Sequence, residues 1–213
     1  MTTSLSPVIQ KGPILVNVLL SLTQLFAKGG EGLSQTLGPL AEASGKLAKQ
    51  DANQELQKVS DELQACSQVV GEEQTVMCFE FNRLFIGPKP PAAPPFESVY
   101  LSTQRLVMQE QTLAVRKMYL AENLQAVNQW NMPDDFIAAE LEFAGYLLTR
   151  AVEEWNGENE VRGQYYSEFY TKFWAEHLGL WLGAFAETIR QASKLPIFLA
   201  VAQLLLYLPS EIK

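Results

Sequence analysis

Apolar residues recur at helical spacing along almost the whole chain, and the strict alternation of a half-buried strand is nowhere sustained. Leu15, Val18, Leu19, Leu22 and Phe26 form a stripe that predicts a helix. It opens at Pro13, whose fixed φ suits a first turn, and closes at Gly29-Gly30. A shorter helix is expected over residues 31–44, with Gly38-Pro39 as its candidate break. Residues 51–70 are polar but periodic through Leu56, Val59 and Leu63, the pattern of a surface helix with one face inward. A fourth helix ends in Phe79-Glu80-Phe81-Asn82-Arg83-Leu84-Phe85.

The pattern then breaks into Gly87 and a loop carrying Pro88, Pro90, Pro91, Pro94 and Pro95. Prolines fix φ and remove backbone donors, so the loop is expected to be a semi-rigid extended spacer between two aromatic groups, Phe81 with Phe85 and Phe96 with Tyr100. Helical periodicity resumes over residues 109–123, and residues 124–132 connect onward. A helix is expected from Pro133, with Asp134 and Asp135 at its positive dipole end. Its stripe runs through Ile137, Leu141, Ala144, Leu148, Ala151 and Trp155 to a stop at Asn156-Gly157. Residues 160–193 hold a dense aromatic series with Gly179 and Gly183 as candidate dividers, and Pro196 opens a last apolar helix. The expected fold is all-α, a multi-helix bundle in which residues 87–97 form a Pro-rich hinge between helices of residues 1–86 and of residues 98–213.

Composition narrows the function. The 213 residues can bury one sizeable core, and 47% hydrophobic with 19% charged residues is a globular balance. A formal net charge of −8 argues against nucleic acid and anionic membrane surfaces and favours a basic partner. Cys66 and Cys78 are too few and too far apart for a disulfide framework, which points to a reducing compartment. Residues 13–27 are interrupted by Asn17, Ser21, Thr23 and Gln24, unlike a signal-peptide core. Residues 195–208 fall short of the ~20 apolar residues of a membrane span. A cytoplasmic location is expected, without membrane insertion.

Catalytic constellations are poorly supplied. A ferritin-like metal pair needs Glu-x-x-His twice, whereas His177 is the single histidine and Trp174 stands where its glutamate would be. Glu140 and Glu142 lie two positions apart, about 200° around a helix, and do not converge on one bond. Gly29-Gly30-Glu31-Gly32 follows a helix, not a strand, so no phosphate cradle is indicated. No cofactor, no metal and no enzymatic activity are expected.

Three segments in order carry a family resemblance. Phe81-Asn82-Arg83-Leu84-Phe85, then Gly87-Pro88, the proline loop and Phe96-Glu97-Ser98-Val99-Tyr100, is similar to the signature of the TorD/DmsD redox-enzyme maturation chaperones. The second segment is Met132-Pro133-Asp134-Asp135-Phe136, followed by Glu140-Leu141-Glu142-Phe143. The third, weaker, is Phe173-Trp174-Ala175-Glu176-His177-Leu178-Gly179-Leu180-Trp181. The first seventy residues offer only a generic helical likeness.

The resemblance implies a bundle of the TorD/DmsD type. It also implies a chaperone that binds the immature catalytic subunit of a molybdopterin-containing oxidoreductase, its twin-arginine leader, or both, and delays export until the cofactor is inserted. A leader receptor needs carboxylates for arginine beside an apolar groove. Asp134 and Asp135 are the candidate carboxylates, with Glu97 and Glu80 secondary, and Phe81, Leu84, Phe85, Phe96, Tyr100 and Phe136 are the candidate groove. Helix capping for the two aspartates and core packing for Phe81 and Phe85 stand as alternatives. The family commonly has histidine where this chain has Phe136, so binding here should lean on apolar contact. A helical adaptor with a non-redox partner is the alternative function, and the hinge leaves both a monomer and a domain-swapped dimer open.

Overall fold

A computed structural model describes residues 7–125 and 132–208, and the described residues contain helices without β-strands. The helices are α1 (Pro7–Gln10), α2 (Gly12–Lys28), α3 (Leu33–Gln50), α4 (Gln54–Ser67), α5 (Glu72–Phe85), α6 (Glu97–Leu101), α7 (Glu110–Ala121), α8 (Ile137–Asn156), α9 (Glu160–Phe173), α10 (Gly179–Ala192) and α11 (Pro196–Tyr207). A 3₁₀ turn, Gly30–Gly32, links α2 to α3, and a π-helical turn, Trp174–Leu178, joins α9 to α10. The all-α expectation holds.

Packing partners run in a circuit. α9 lies on α8, α8 on α2, α2 on α3, α3 on α4, α4 on α11 and α11 on α10, which returns through the π turn to α9. The helical stripes face into this circuit: Leu15, Val18, Leu19 and Leu22 of α2 are buried, as are Ile137, Leu141, Ala144 and Leu148 of α8. Two aromatic groups fill the interior. Phe85 is the hub of one, with ring centroids 4.8 Å from Phe81, 5.4 Å from Phe26, 5.9 Å from Phe185 and 6.0 Å from Phe198. Phe143 is the hub of the other, 4.7 Å from Tyr119 and 4.9 Å from Phe173. Edge-to-face pairs such as these add to plain area burial.

Four local expectations are corrected. The helix read over residues 31–44 is continuous to Gln50 and passes through Pro39. Pro39 and Gln35 are both exposed, so the carbonyl that loses its partner faces water, while Leu37, Leu40 and Leu47 hold the inner face. Gly183 does not divide the aromatic series; the change of path comes at the π turn before Gly179. The helix expected from Pro133 starts at Ile137, because Phe136 is extended (φ −72°, ψ 134°) and forms an isolated antiparallel bridge with Phe96. The proline loop is not an extended spacer: it folds back on α5, where Ala92 and Ala93 donate to the carbonyls of Arg83 and Leu84 at 3.1 and 2.8 Å. Those bonds satisfy carbonyls that a helix end leaves free.

Candidate functional site

The backbone bridge brings the two strongest motif segments together. Glu97 N–H donates to Asp135 O at 3.1 Å, and Ile137 N–H donates to Pro95 O at 3.0 Å. Phe96 and Phe136 lie ring to ring across this junction, with centroids 5.6 Å apart. Residues forty positions apart in the chain thus form one structural unit.

Asp134 and Asp135 are buried at its centre. Asp135 accepts from Ser98 N–H at 2.9 Å and from Thr112 Oγ1 at 2.8 Å, so its two oxygens tie α6 and α7 to the start of α8. Asp134 accepts from Arg116 Nε at 2.6 Å, and its carbonyl accepts from Tyr119 OH at 2.9 Å. Both carboxylates therefore have partners within the chain. The Tyr119 hydroxyl is pushed well above its usual pKa by burial, then by the surrounding charges of Glu140, Asp134, Asp135 and Glu97.

Behind the junction lies a second buried polar group. His177 Nδ1 sits 3.1 and 3.0 Å from the two oxygens of Glu97, and Trp181 Nε1 donates to Glu140 Oε2 at 3.1 Å. Glu140 is fully buried while Glu142 is exposed, as their opposite helical phases require. Burial and the nearby Glu97 charge raise the Glu140 pKa well above the carboxylate range. Its Oε1 is buried without a hydrogen-bond partner, a position that suits a neutral carboxyl better than a carboxylate.

The aromatic candidates divide by position. Phe81 and Leu84 are core residues, at 1% and 0% exposure. Tyr100 stacks on Trp181 at 5.5 Å. Phe81, Phe85 and Phe136, with Pro95, line a cavity of about 340 Å³ whose lining also includes Phe26 and residues 27–31. Lys28 and Glu31 are its charged lining residues. Glu80 is held by Arg83 through bonds of 2.7 and 2.8 Å and accepts from Ser193 Oγ at 2.6 Å, and the Arg83 bond keeps its pKa low.

Sequence reading missed Glu140, His177, Trp181, Thr112 and Arg116 as members of this network. A signal for two of them was present. Glu140 stands one turn from Ile137 and Ala144 on the buried stripe, and His177 is four residues from both Phe173 and Trp181. A polar residue in phase with a buried face needs a partner. Among the described residues no three His, Cys, Asp or Glu side chains converge as a metal site, and no helix is long and apolar enough to cross a membrane.

The family model described as nitrate reductase delta subunit matches residues 46–187, about two thirds of the chain, and the chain belongs to that family. The matched range contains all three motif segments. The chain is similar to the chaperone protein TorD of Vibrio cholerae, 27% identical over 164 residues that cover 76% of this chain and 72% of the relative. It is similar to the probable Tat proofreading chaperone DmsD of Haemophilus influenzae, 28% identical over 125 residues, 59% of this chain and 54% of the relative. The Tat proofreading chaperone DmsD of Salmonella typhimurium is 29% identical over 124 residues, 58% of this chain and 54% of the relative. The match thus spans from about half to nearly three quarters of these relatives. They are named as chaperones, not as enzymes.

Proposed function

We propose that this chain is a cytoplasmic chaperone for the catalytic subunit of a molybdopterin-containing oxidoreductase. It binds the immature subunit and its twin-arginine leader, and keeps them from export until the cofactor is in place. One observation carries the reading: two motif segments typical of such chaperones join through the Phe96–Phe136 bridge, and Phe136 and Pro95 of that junction border an apolar cavity. The buried carboxylates support it indirectly. Asp135 and Asp134 fix the backbone on which Phe136 is mounted, and Glu31 is an exposed carboxylate on the cavity lining. The apolar part of a leader would enter against Phe85, Phe136 and Ile86, and an arginine would meet Glu31. Family membership, the chaperone names of the relatives and the all-helical fold support the same reading.

The test is binding of synthetic twin-arginine leaders, taken from molybdopterin oxidoreductases of the same organism, by calorimetry. Binding that falls when the arginine pair becomes glutamine, and that falls again in Phe136→Ala, is the expected result. Binding of scrambled and native leaders with equal affinity contradicts it.

A further inference from the structure

A second cleft shares no lining residue with the Phe136 cavity. It lies where α4, the start of α5 and the start of α11 meet, and has a volume of about 470 Å³. Its apolar floor includes Val69, Val76, Met77 and Ile197. Val76 is half exposed (52%), and the neighbouring Val70 is largely exposed (78%). Val69, Val76, Met77, Leu195, Pro196 and Ile197 make the apolar part of the lining continuous across the junction of α4, α5 and α11, which singly exposed apolar residues would not. Cys66 lines the cleft as a neutral thiol that donates to Glu62 Oε1 at 3.7 Å, and burial, then the Glu62 charge, pushes its pKa up to about 11.

The charges around the floor are of one sign. Glu62, Glu72 and Glu73 line the cleft, and no Lys or Arg does. Unlike Glu80, Glu154 and Asp134, these three carboxylates take part in no ion pair among the described residues. Glu72 and Glu73 stand in the first turn of α5, where negative charge stabilises the helix end. That role explains their sign but not the open apolar floor between them and α11. The Phe136 cavity differs, since Lys28 and Glu31 balance its lining.

We propose that this cleft is a second client-contact site, taking a segment of the client protein in which two or three cationic side chains border an apolar face. The apolar face seats on Val69, Val76 and Met77, and the cations pair with Glu62, Glu72 and Glu73. A second copy of this chain is disfavoured as occupant, because both surfaces would belong to molecules of net charge −8. The identity of the partner as a client rests on the chaperone reading; the chemistry of the cleft does not.

The probes are two fluorescein-labelled amphipathic helical peptides, one with lysines bordering a leucine face and one with glutamates in their place, followed by anisotropy against the full chain. Five proteins are compared: wild type, Glu72→Gln/Glu73→Gln, Val76→Asp, Phe136→Ala, and a charge-matched control, Glu110→Gln/Glu168→Gln, at exposed positions outside the cleft lining. The lysine peptide is expected to bind wild type and control alike. It should lose at least about fivefold in affinity to the cleft glutamine pair and more to Val76→Asp, with helicity by circular dichroism unchanged. The glutamate peptide should not bind. Equal weakening by the control pair reduces the effect to general electrostatics and overturns the proposal, as does unchanged binding in Val76→Asp. Loss in Phe136→Ala but not in the cleft variants assigns the peptide to the other cavity and also overturns it. Concentration-dependent dimerisation of the wild type that Val76→Asp abolishes gives the cleft to a second copy. Failure of leader binding at Phe136 leaves all four comparisons intact, so the two readings fail separately.

Discussion

His177 and Glu97 form a fully buried pair, with Nδ1 3.0 and 3.1 Å from the two carboxylate oxygens, and it ties the π turn between α9 and α10 to the first residue of α6. His177 lies within the π turn itself. Trp174–Leu178 bonds in the i→i+5 pattern, and Trp174, His177 and Leu178 are its buried residues. Phe173, at 5.3 Å, packs on the imidazole and keeps water away.

Removing one partner of a buried pair leaves the other unsatisfied. Glu97→Ala should lower stability by about 3 kcal/mol, measured by urea unfolding. Glu97→Gln, which keeps an acceptor for His177, should cost clearly less. Equal losses in the two variants would show that side-chain volume, and not the hydrogen bond, is what matters at this position.

Glu140 gives the fold a pH dependence of known sign. Its pKa is raised in the folded chain, so the stability drawn from its protonated form is fully present below the unfolded value of about 4.3 and is lost as pH rises through the folded value. Glu140→Gln keeps a neutral side chain that can accept from Trp181. The stability difference between variant and wild type should therefore move in favour of the variant as pH is raised from 5 towards 8, followed by urea unfolding at each pH. A constant difference would mean that Glu140 does not titrate in that range.

Much of the fold was legible because helices advertise themselves in period and punctuation. Pro13, Gly29-Gly30, Asn156-Gly157 and Pro196 each fall within a residue or two of an observed helix boundary. Pro39 and Phe136 were misread for one reason: tertiary partners, the inner face of α3 and the backbone of Phe96, outweigh local propensity. In the site, motif matching picked out Glu97, Asp134, Asp135 and Phe136, which do lie together. Direction was beyond it. Whether a carboxylate faces a ligand or a neighbouring N–H depends on contacts 37 positions away, as between Asp135 and Ser98, and no local pattern encodes these.

Asp135 is accordingly expected to act on stability. Asp135→Asn weakens a charge-assisted acceptor of Ser98 N–H and places an amide where two acceptors stood. A loss of about 1.5–3 kcal/mol is expected by urea unfolding. If Asp135 instead met leader arginines directly, leader affinity would fall and lose its salt dependence while stability stayed near wild type.

Gly30 sets how closely α5 approaches the turn that lines the Phe136 cavity. A Cβ there would stand 2.8 Å from Cys78 O and 2.9 Å from Cys78 Sγ, and the first of these is backbone that cannot swing aside. Gly30→Ala should cost about 1–3 kcal/mol and shift α5 outward. Thermal melting gives the first effect, and leader affinity reports the second because Phe81 and Phe85 of α5 line the cavity. An unchanged melting temperature would indicate that the turn and α5 separate without cost.

Leader titration of wild type against Phe136→Ala, with Phe79→Ala as control, decides whether the cavity receives the leader. Phe136 borders the cavity, whereas Phe79 is 69% exposed and is not among its lining residues. The account predicts a saturable complex with the twin-arginine leader, weakened at least about tenfold by Phe136→Ala and unaffected by Phe79→Ala, in proteins of equal helicity. A leader that binds wild type no better than its scrambled sequence, or binds Phe136→Ala as tightly as wild type, would contradict it.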